Sequence, residues 1–170
     1  MIALFGLAGS GKSTQGKIIA NEMGWKWLSV GEVLRNTGRF DEILKAGELV
    51  DDMEVVRLMD EEMAATETDV VLDGYPRDEV QAKWLAENDK LGKLKKAIFL
   101  EVPKDVLLAR IKGRNRADDT EKVIKRRFEI VEQNICSILK ILETHGVEIL
   151  RIDGTGSVEE VSQRLLKVIK

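Results

Sequence analysis

Eight residues near the start of the chain restrict its fold more than any other feature. Gly6-Leu7-Ala8-Gly9-Ser10-Gly11-Lys12-Ser13 matches G-x-x-x-x-G-K-S/T in full. It follows an apolar strand candidate at residues 2–5 and precedes a helix predicted to run to about Met23, with Gly24 as its stop. Glycines let such a turn aim several backbone N–H groups at one point. The helix start adds its positive dipole end. The Lys12 ammonium can reach β- and γ-phosphates, and a hydroxyl at Ser13 or Thr14 can ligate Mg²⁺. The motif therefore predicts nucleoside triphosphate binding, without naming a reaction. A guanine reader would need Asn-Lys-x-Asp, which Asn88-Asp89-Lys90 is not, and 170 residues are too few for a motor or helicase. A small kinase fits.

The rest of the chain alternates strand and helix patterns. Short apolar runs at 25–28, 70–72, 97–102 and 147–152 predict further strands, all apolar on both faces. Helices are predicted from Val30 to Arg35, between Gly38 and Gly47, from Asp51 to Thr66, around Val80, Trp84 and Leu85, and from Pro103 to Ile111. Ile124, Phe128, Val131, Ile135, Ile138 and Leu142 step four and three, marking the longest helix, and Ser157 is a plausible N-cap for the last one. This alternation predicts an α/β fold of the P-loop NTPase type: a parallel five-stranded sheet flanked by helices. The length predicts one domain over residues 1–170.

Composition narrows the setting. One cysteine, Cys136, excludes an intramolecular disulfide and a multi-cysteine zinc site, and its place beside the apolar stripe of the long helix predicts a packing role. His145, at that helix's end, suits the dipole. Trp25, Trp27 and Trp84 are expected in core or cover rather than as nucleic-acid stacking platforms. No apolar run approaches about 18 residues and the N-terminus has no basic n-region, so a cytoplasmic, monomeric protein without membrane or nucleic-acid partners is expected. The formal net charge of −3 hides segregation. Residues 48–69 carry nine acids and one base, whereas residues 110–127 carry eight bases and three acids.

Asp73-Gly74-Tyr75-Pro76-Arg77 lies at the end of a predicted central strand, where ligands bind in parallel α/β sheets. Asp73 can hold Mg²⁺ directly or through water. Gly74 allows close approach to the backbone, and Arg77 offers a bidentate fork to a phosphate. Gln81, one helical turn beyond Arg77, presents an amide that can match the N1/N6 edge of adenine.

Together with the phosphate loop, residues 28–35, 47–50, 73–77 with Gln81, 116–119 with Arg127, and 153–155 resemble, in order, the motif set of the adenylate kinases. The resemblance runs over essentially the whole chain, in a short-lid form. It implies ATP and Mg²⁺ with AMP as acceptor. Gly9, Ser10, Gly11, Lys12, Ser13 and Thr14 would cradle the ATP phosphates, with Arg110 and Gly156 near the ATP base and Arg114 facing ATP. Arg35 and Arg77 would hold the AMP phosphate. Val30, Gly74, Gln81 and the backbone of Glu48, Leu49 and Val50 would line the acceptor site. Arg116 and Arg127 would close over the transferred group, so that Lys12, Arg77, Arg114, Arg116 and Arg127 form the catalytic set. Ser13 and Asp73 would serve the metal.

The chain departs from that pattern in three places. Val30 stands where these kinases usually carry threonine, and Glu32 where Asp is more frequent. The acceptor-binding segment, about residues 29–50, is several residues short, and the lid, about 112–119, is a short loop. A UMP/CMP or broad-specificity kinase, and a P-loop module that binds without turnover, are the other readings. Gln81 and the Arg35/Arg77 pair favour AMP turnover.

Overall fold

The computed structural model describes residues 1–88, 94–113 and 119–170. Five strands form one parallel sheet: β1 (Ile2–Phe5), β2 (Lys26–Ser29), β3 (Val70–Asp73), β4 (Lys96–Glu101) and β5 (Glu148–Asp153), in the order β2-β3-β1-β4-β5. Eight helices connect and cover them: α1 (Lys12–Met23), α2 (Val30–Asn36), α3 (Asp41–Ala46), α4 (Asp52–Ala64), α5 (Glu79–Glu87), α6 (Lys104–Gly113), α7 (Glu121–Thr144) and α8 (Val158–Ile169). The expected α/β architecture of five parallel strands is the one observed.

Register decides where chemistry can gather. Leu4 and Ser29 both pair with Asp73, and Glu101 pairs with Asp153, so these residues share the C-terminal edge of the sheet. After β1 the chain passes to the β2/β3 side, and after β3 it passes to the β4/β5 side. That change of direction opens a crevice above the central strand.

Two apolar layers hold the sheet. Leu28, Leu34, Val55, Met59, Leu72, Leu85, Ile138 and Leu142 pack on one face, and Leu4, Ile19, Val71, Ile98, Leu100 and Leu165 on the other. The expectation of strands buried on both faces holds for β1 and β3, whose residues are all buried. It fails for the edge strands: β5, which has a neighbouring strand on one side only, exposes Glu148, Arg151 and Asp153. The helix expected around Val80, Trp84 and Leu85 is α5, which turns Gln81, Ala82 and Leu85 inward and leaves Val80 exposed. Cys136 lies on the solvent side of α7, so the packing role expected of it is corrected.

Local signals end the helices as predicted. Ser157 caps α8 in a reciprocal box with Glu160. The His145 ring Nδ1 lies 2.8 Å from the Ile141 carbonyl at the end of α7.

Candidate active site

The loop between β1 and α1 is held open by geometry that only glycine meets. At Gly9, φ is +84°, and a Cβ would lie 2.8 Å from the Leu107 carbonyl oxygen and 2.9 Å from Ile111. The turn therefore seats directly on α6. Helix α1 begins without a side-chain cap. A helix start without a side-chain cap is the arrangement that takes anions. Lys12 and Ser13 line the cavity in front of this helix start. The Lys12 ammonium also donates to the Leu7 carbonyl at 3.3 Å, which folds its side chain back across the loop. Gly9, Ser10 and Gly11 make the turn beside them, whereas Thr14 is exposed outside the cavity lining.

The opposite wall carries arginines. Gly31, on α2, lies beneath two of them: a Cβ there would be 3.3 Å from Arg35 Nη1 and 3.5 Å from Arg77 Nη2. The two guanidiniums thus converge on one spot. Arg77 Nε donates to the Gly74 carbonyl at 3.3 Å. Arg127 enters from α7, donating to Asp119 Oδ1 at 3.2 Å and to the Leu44 carbonyl at 3.3 Å. Burial pushes the Arg77 guanidinium down to about 10, with the nearby Arg127 and Arg35 charges adding to the effect and Asp73 opposing it. It stays protonated at neutral pH, and an incoming dianion would relieve the crowding.

Between these walls lies Asp73, 3% exposed, with Oδ2 buried and without a hydrogen-bond partner. A buried carboxylate oxygen aimed into a cavity lined by Lys12, Ser13 and Gly74 fits a hydrated cation. Among the described residues no group of three or more His, Cys, Asp or Glu could hold a metal alone. The remaining wall is apolar: Leu44 of α3 and Leu49 just after it face Ile130, Val131 and Ile135 of α7, a slot suited to a flat ring.

The other expected residues divide between the cavity and its surroundings. Val30 and Val50 are buried in the core, and Glu48 and Leu49 line the cavity. The Glu48 side chain turns away to a two-point pair with Arg126 at 2.9 and 2.8 Å, whose hydrogen bonding holds its carboxyl below the usual range. Arg110 and Gly156 do meet: the guanidinium donates to the carbonyls of Gly154 and Gly156 at 3.0 and 3.2 Å, tying α6 to the loop after β5. Gln81 is fully buried and outside the lining, with its amide held by Asp52 and Asp78. Arg114 and Arg116 lie outside the described residues, as does most of the expected lid.

Several lining residues escaped the sequence reading. Gly31 shows its role only once Arg35 and Arg77 are seen above it. Trp27 lines the cavity with Lys17 over its ring, 4.3 Å from the centroid, and Lys17 pairs with Glu32 at 3.6 Å. No sequence motif links Lys17, Trp27 and Glu32, which come from α1, β2 and α2.

The chain is similar to known proteins of one family. A family model described as adenylate kinase matches residues 4–147. The chain is 36% identical to an adenylate kinase of Mycolicibacterium vanbaalenii, over 99% of this chain and 98% of the relative. It is 32% identical to one of a Synechococcus species, over 99% and 97%, and 33% identical to one of Thermus thermophilus, over 96% and 94%. No helix among the described residues is long and apolar enough to cross a membrane.

Proposed function

The chain belongs to the adenylate kinase family, and we propose that the cavity between α1 and the acceptor segment is where it performs the family's reaction, ATP + AMP ⇌ 2 ADP. One observation carries the assignment. Lys12 of α1, Arg35 of α2, Arg77 of the β3–α5 loop and Arg127 of α7 all line a single cavity, with an apolar slot beside them. A sensor of one nucleotide needs one phosphate site, whereas this cavity has room for charge at two.

In this reading the α1 N-terminus and Lys12 hold the donor's β- and γ-phosphates, with Gly9, Ser10, Gly11, Ser13 and Thr14 around them. Arg110 and Gly156 flank the donor base, and Arg114 faces ATP. Arg35 and Arg77 clamp the acceptor phosphate, Gly74 admits it close to the backbone, and Leu49 and its neighbours shelter the acceptor base. Arg127, with Arg116, faces the group in flight. Phosphoryl transfer spreads charge over equatorial oxygens, so fixed cations in a water-poor cleft supply most of the acceleration by positioning and electrostatics. No residue need act as a dedicated base. Ser13 and Asp73 would hold Mg²⁺, directly or through water, and the ion would neutralise charge on the donor's phosphates. In this reading the acceptor segment spans about residues 29–50 and the lid about 112–119, in a protein acting on free nucleotides in the cytoplasm.

Steady-state kinetics of Arg77→Lys test the acceptor assignment. Lysine keeps the charge and loses the fork. The KM for AMP rises about tenfold or more while the KM for ATP stays within about twofold. Equal changes in both would contradict the division of the cavity.

A further inference from the structure

The loop after β5 turns its carbonyl oxygens alternately to two sides, and an arginine meets each side. Arg164 of α8 donates through Nη1 to the carbonyls of Asp153 and Thr155, at 2.9 and 2.6 Å. Arg110 of α6 donates to those of Gly154 and Gly156, at 3.0 and 3.2 Å. The Arg110 side is the one on which the donor base is placed. A carbonyl oxygen has two lone pairs, so the contact with Arg110 leaves each of these oxygens able to accept from a base as well. Arg164, on the far side of the loop, has no task in phosphate binding.

Each peptide unit of this loop has its own holder. The Gly154 N–H donates to the Glu101 carbonyl at 2.8 Å, the Thr155 N–H to Asp153 Oδ1 at 2.9 Å, and the Ser157 N–H to Glu160 Oε2 at 2.8 Å. The remaining unit, between Thr155 and Gly156, is held at its oxygen by Arg164. Gly156 sits at φ +95°, and glycine passes between positive and negative φ at little cost. With the Arg164 bond released, the aim of the Gly156 carbonyl would rest on the Ser157 contact alone. Arg164 also lies 3.6 Å from Asp153 Oδ2, steadying the carboxylate that holds the unit before. The start of α8 is in turn fixed to the phosphate helix: Gln15, buried on α1, donates through Nε2 to the Val158 carbonyl at 2.8 Å.

We propose that Arg164 is a positioning residue for donor-base selection: holding the Thr155–Gly156 unit from behind, it keeps the Gly156 carbonyl aimed at the 6-position of the donor purine. The inference rests on the placing of the donor base beside Gly156. A carbonyl oxygen only accepts, so it favours a base that donates at that position, as adenine does through its N6 amino group. A purine with an oxygen there sets acceptor against acceptor and is disfavoured. Selection of this kind depends on aim, because a carbonyl free to turn away avoids the clash as readily as it loses the bond. Removing Arg164 should therefore cost ATP more than it costs a 6-oxo donor, and it should leave the acceptor side alone.

Arg164→Met tests this, since methionine keeps an unbranched, helix-forming stem and loses the guanidinium. Inosine triphosphate is the probe, because it differs from ATP only in the 6-oxo group and the adjoining N1. With AMP and Mg²⁺ saturating, kcat/KM is measured for each donor, and the KM for AMP is measured with ATP, for the full chain and the variant. The unsubstituted protein should prefer ATP by about tenfold or more. In Arg164→Met that preference should fall about three- to tenfold, through loss of efficiency with ATP. The KM for AMP should stay within about twofold. A merely structural role lowers both donors in parallel, so an unchanged ratio overturns the proposal. So does an unsubstituted protein without donor preference, or a KM for AMP that moves with the KM for ATP. If neither protein transfers phosphate from ATP to AMP, the function assignment fails. Calorimetric Kd values for ATP and inosine triphosphate then judge Arg164 by the same ratio. Should Arg164→Met lose its far-UV circular dichroism, Arg164→Gln, too short to reach both carbonyls, is read the same way.

Discussion

Lys12 shows how little a single residue needs in order to be decisive. Its stem lies along the loop and its ammonium reaches the Leu7 carbonyl, so the charge is already placed at the cavity before any nucleotide arrives. Replacing Lys12 with alanine removes a half-buried side chain outside the two main apolar layers, so the fold should survive while kcat falls about 10²- to 10³-fold, the usual effect of deleting one preorganised charge donor. Unchanged circular dichroism with unchanged kcat would contradict its role. At this scale the phosphate loop was legible because its spacing and context are local. Gln81 was legible only as a residue that matters. That its amide would be held inward by Asp52 was not, since the partner lies 29 residues away and no local pattern links them.

Among the elements, α7 does more than cover the sheet. Its start meets the acceptor segment at three points: Arg126 pairs with Glu48, Arg127 reaches the Leu44 carbonyl, and Gly47 packs against Val123. At Gly47, φ is +78° and a Cβ would lie 3.0 Å from Val123 Cγ1. Gly47→Ala therefore combines left-handed strain with an overpacked contact and should lower unfolding stability by about 1 kcal/mol or more. Urea denaturation reads this directly, and an unaltered midpoint would show that the contact gives way freely. The missing residues of the acceptor segment leave only the short α3 between α2 and α4. Closure is what excludes water from such reactions. ATP hydrolysis without acceptor should therefore exceed that of long-segment adenylate kinases, and an equally negligible rate would refute this. Periodicity located these helices well, because α7 repeats its apolar stripe over 24 residues. It misjudged β5, whose place at the margin of the packed sheet leaves Glu148, Arg151 and Asp153 exposed.

For the molecule as a whole, the net charge of −3 gave no hint of a phosphate site, because the cavity's cations are drawn from α1, α2, the β3–α5 loop and α7. Strand count and parallel sense followed from the alternation of patterns. The order β2-β3-β1-β4-β5, which sets Asp73 beside the phosphate loop, depends on long-range pairing that a linear reading does not contain. Stability should also carry the mark of the carboxyl pair Asp52 and Asp78, which holds the Gln81 amide. Burial, followed by the hydrogen bond to Asp52, pushes the folded Asp78 carboxyl up to about 6 from its ordinary value of 3.8. The native state thus holds the proton more tightly, so its contribution is complete below about pH 4 and is lost as pH rises through about 6. The stability difference between the unsubstituted protein and Asp78→Asn should fall over that window. A difference that grows with pH would reverse the sign.

Transfer of phosphate from ATP to AMP in this one cavity is open to direct observation. With ATP and Mg²⁺ in excess and AMP, CMP, UMP and GMP offered separately, phosphorus NMR should show AMP converted, with two ADP formed for each AMP consumed and the other acceptors turned over far more slowly. Preferred transfer to UMP or CMP, or nucleotide binding without transfer to any of the four, would contradict it.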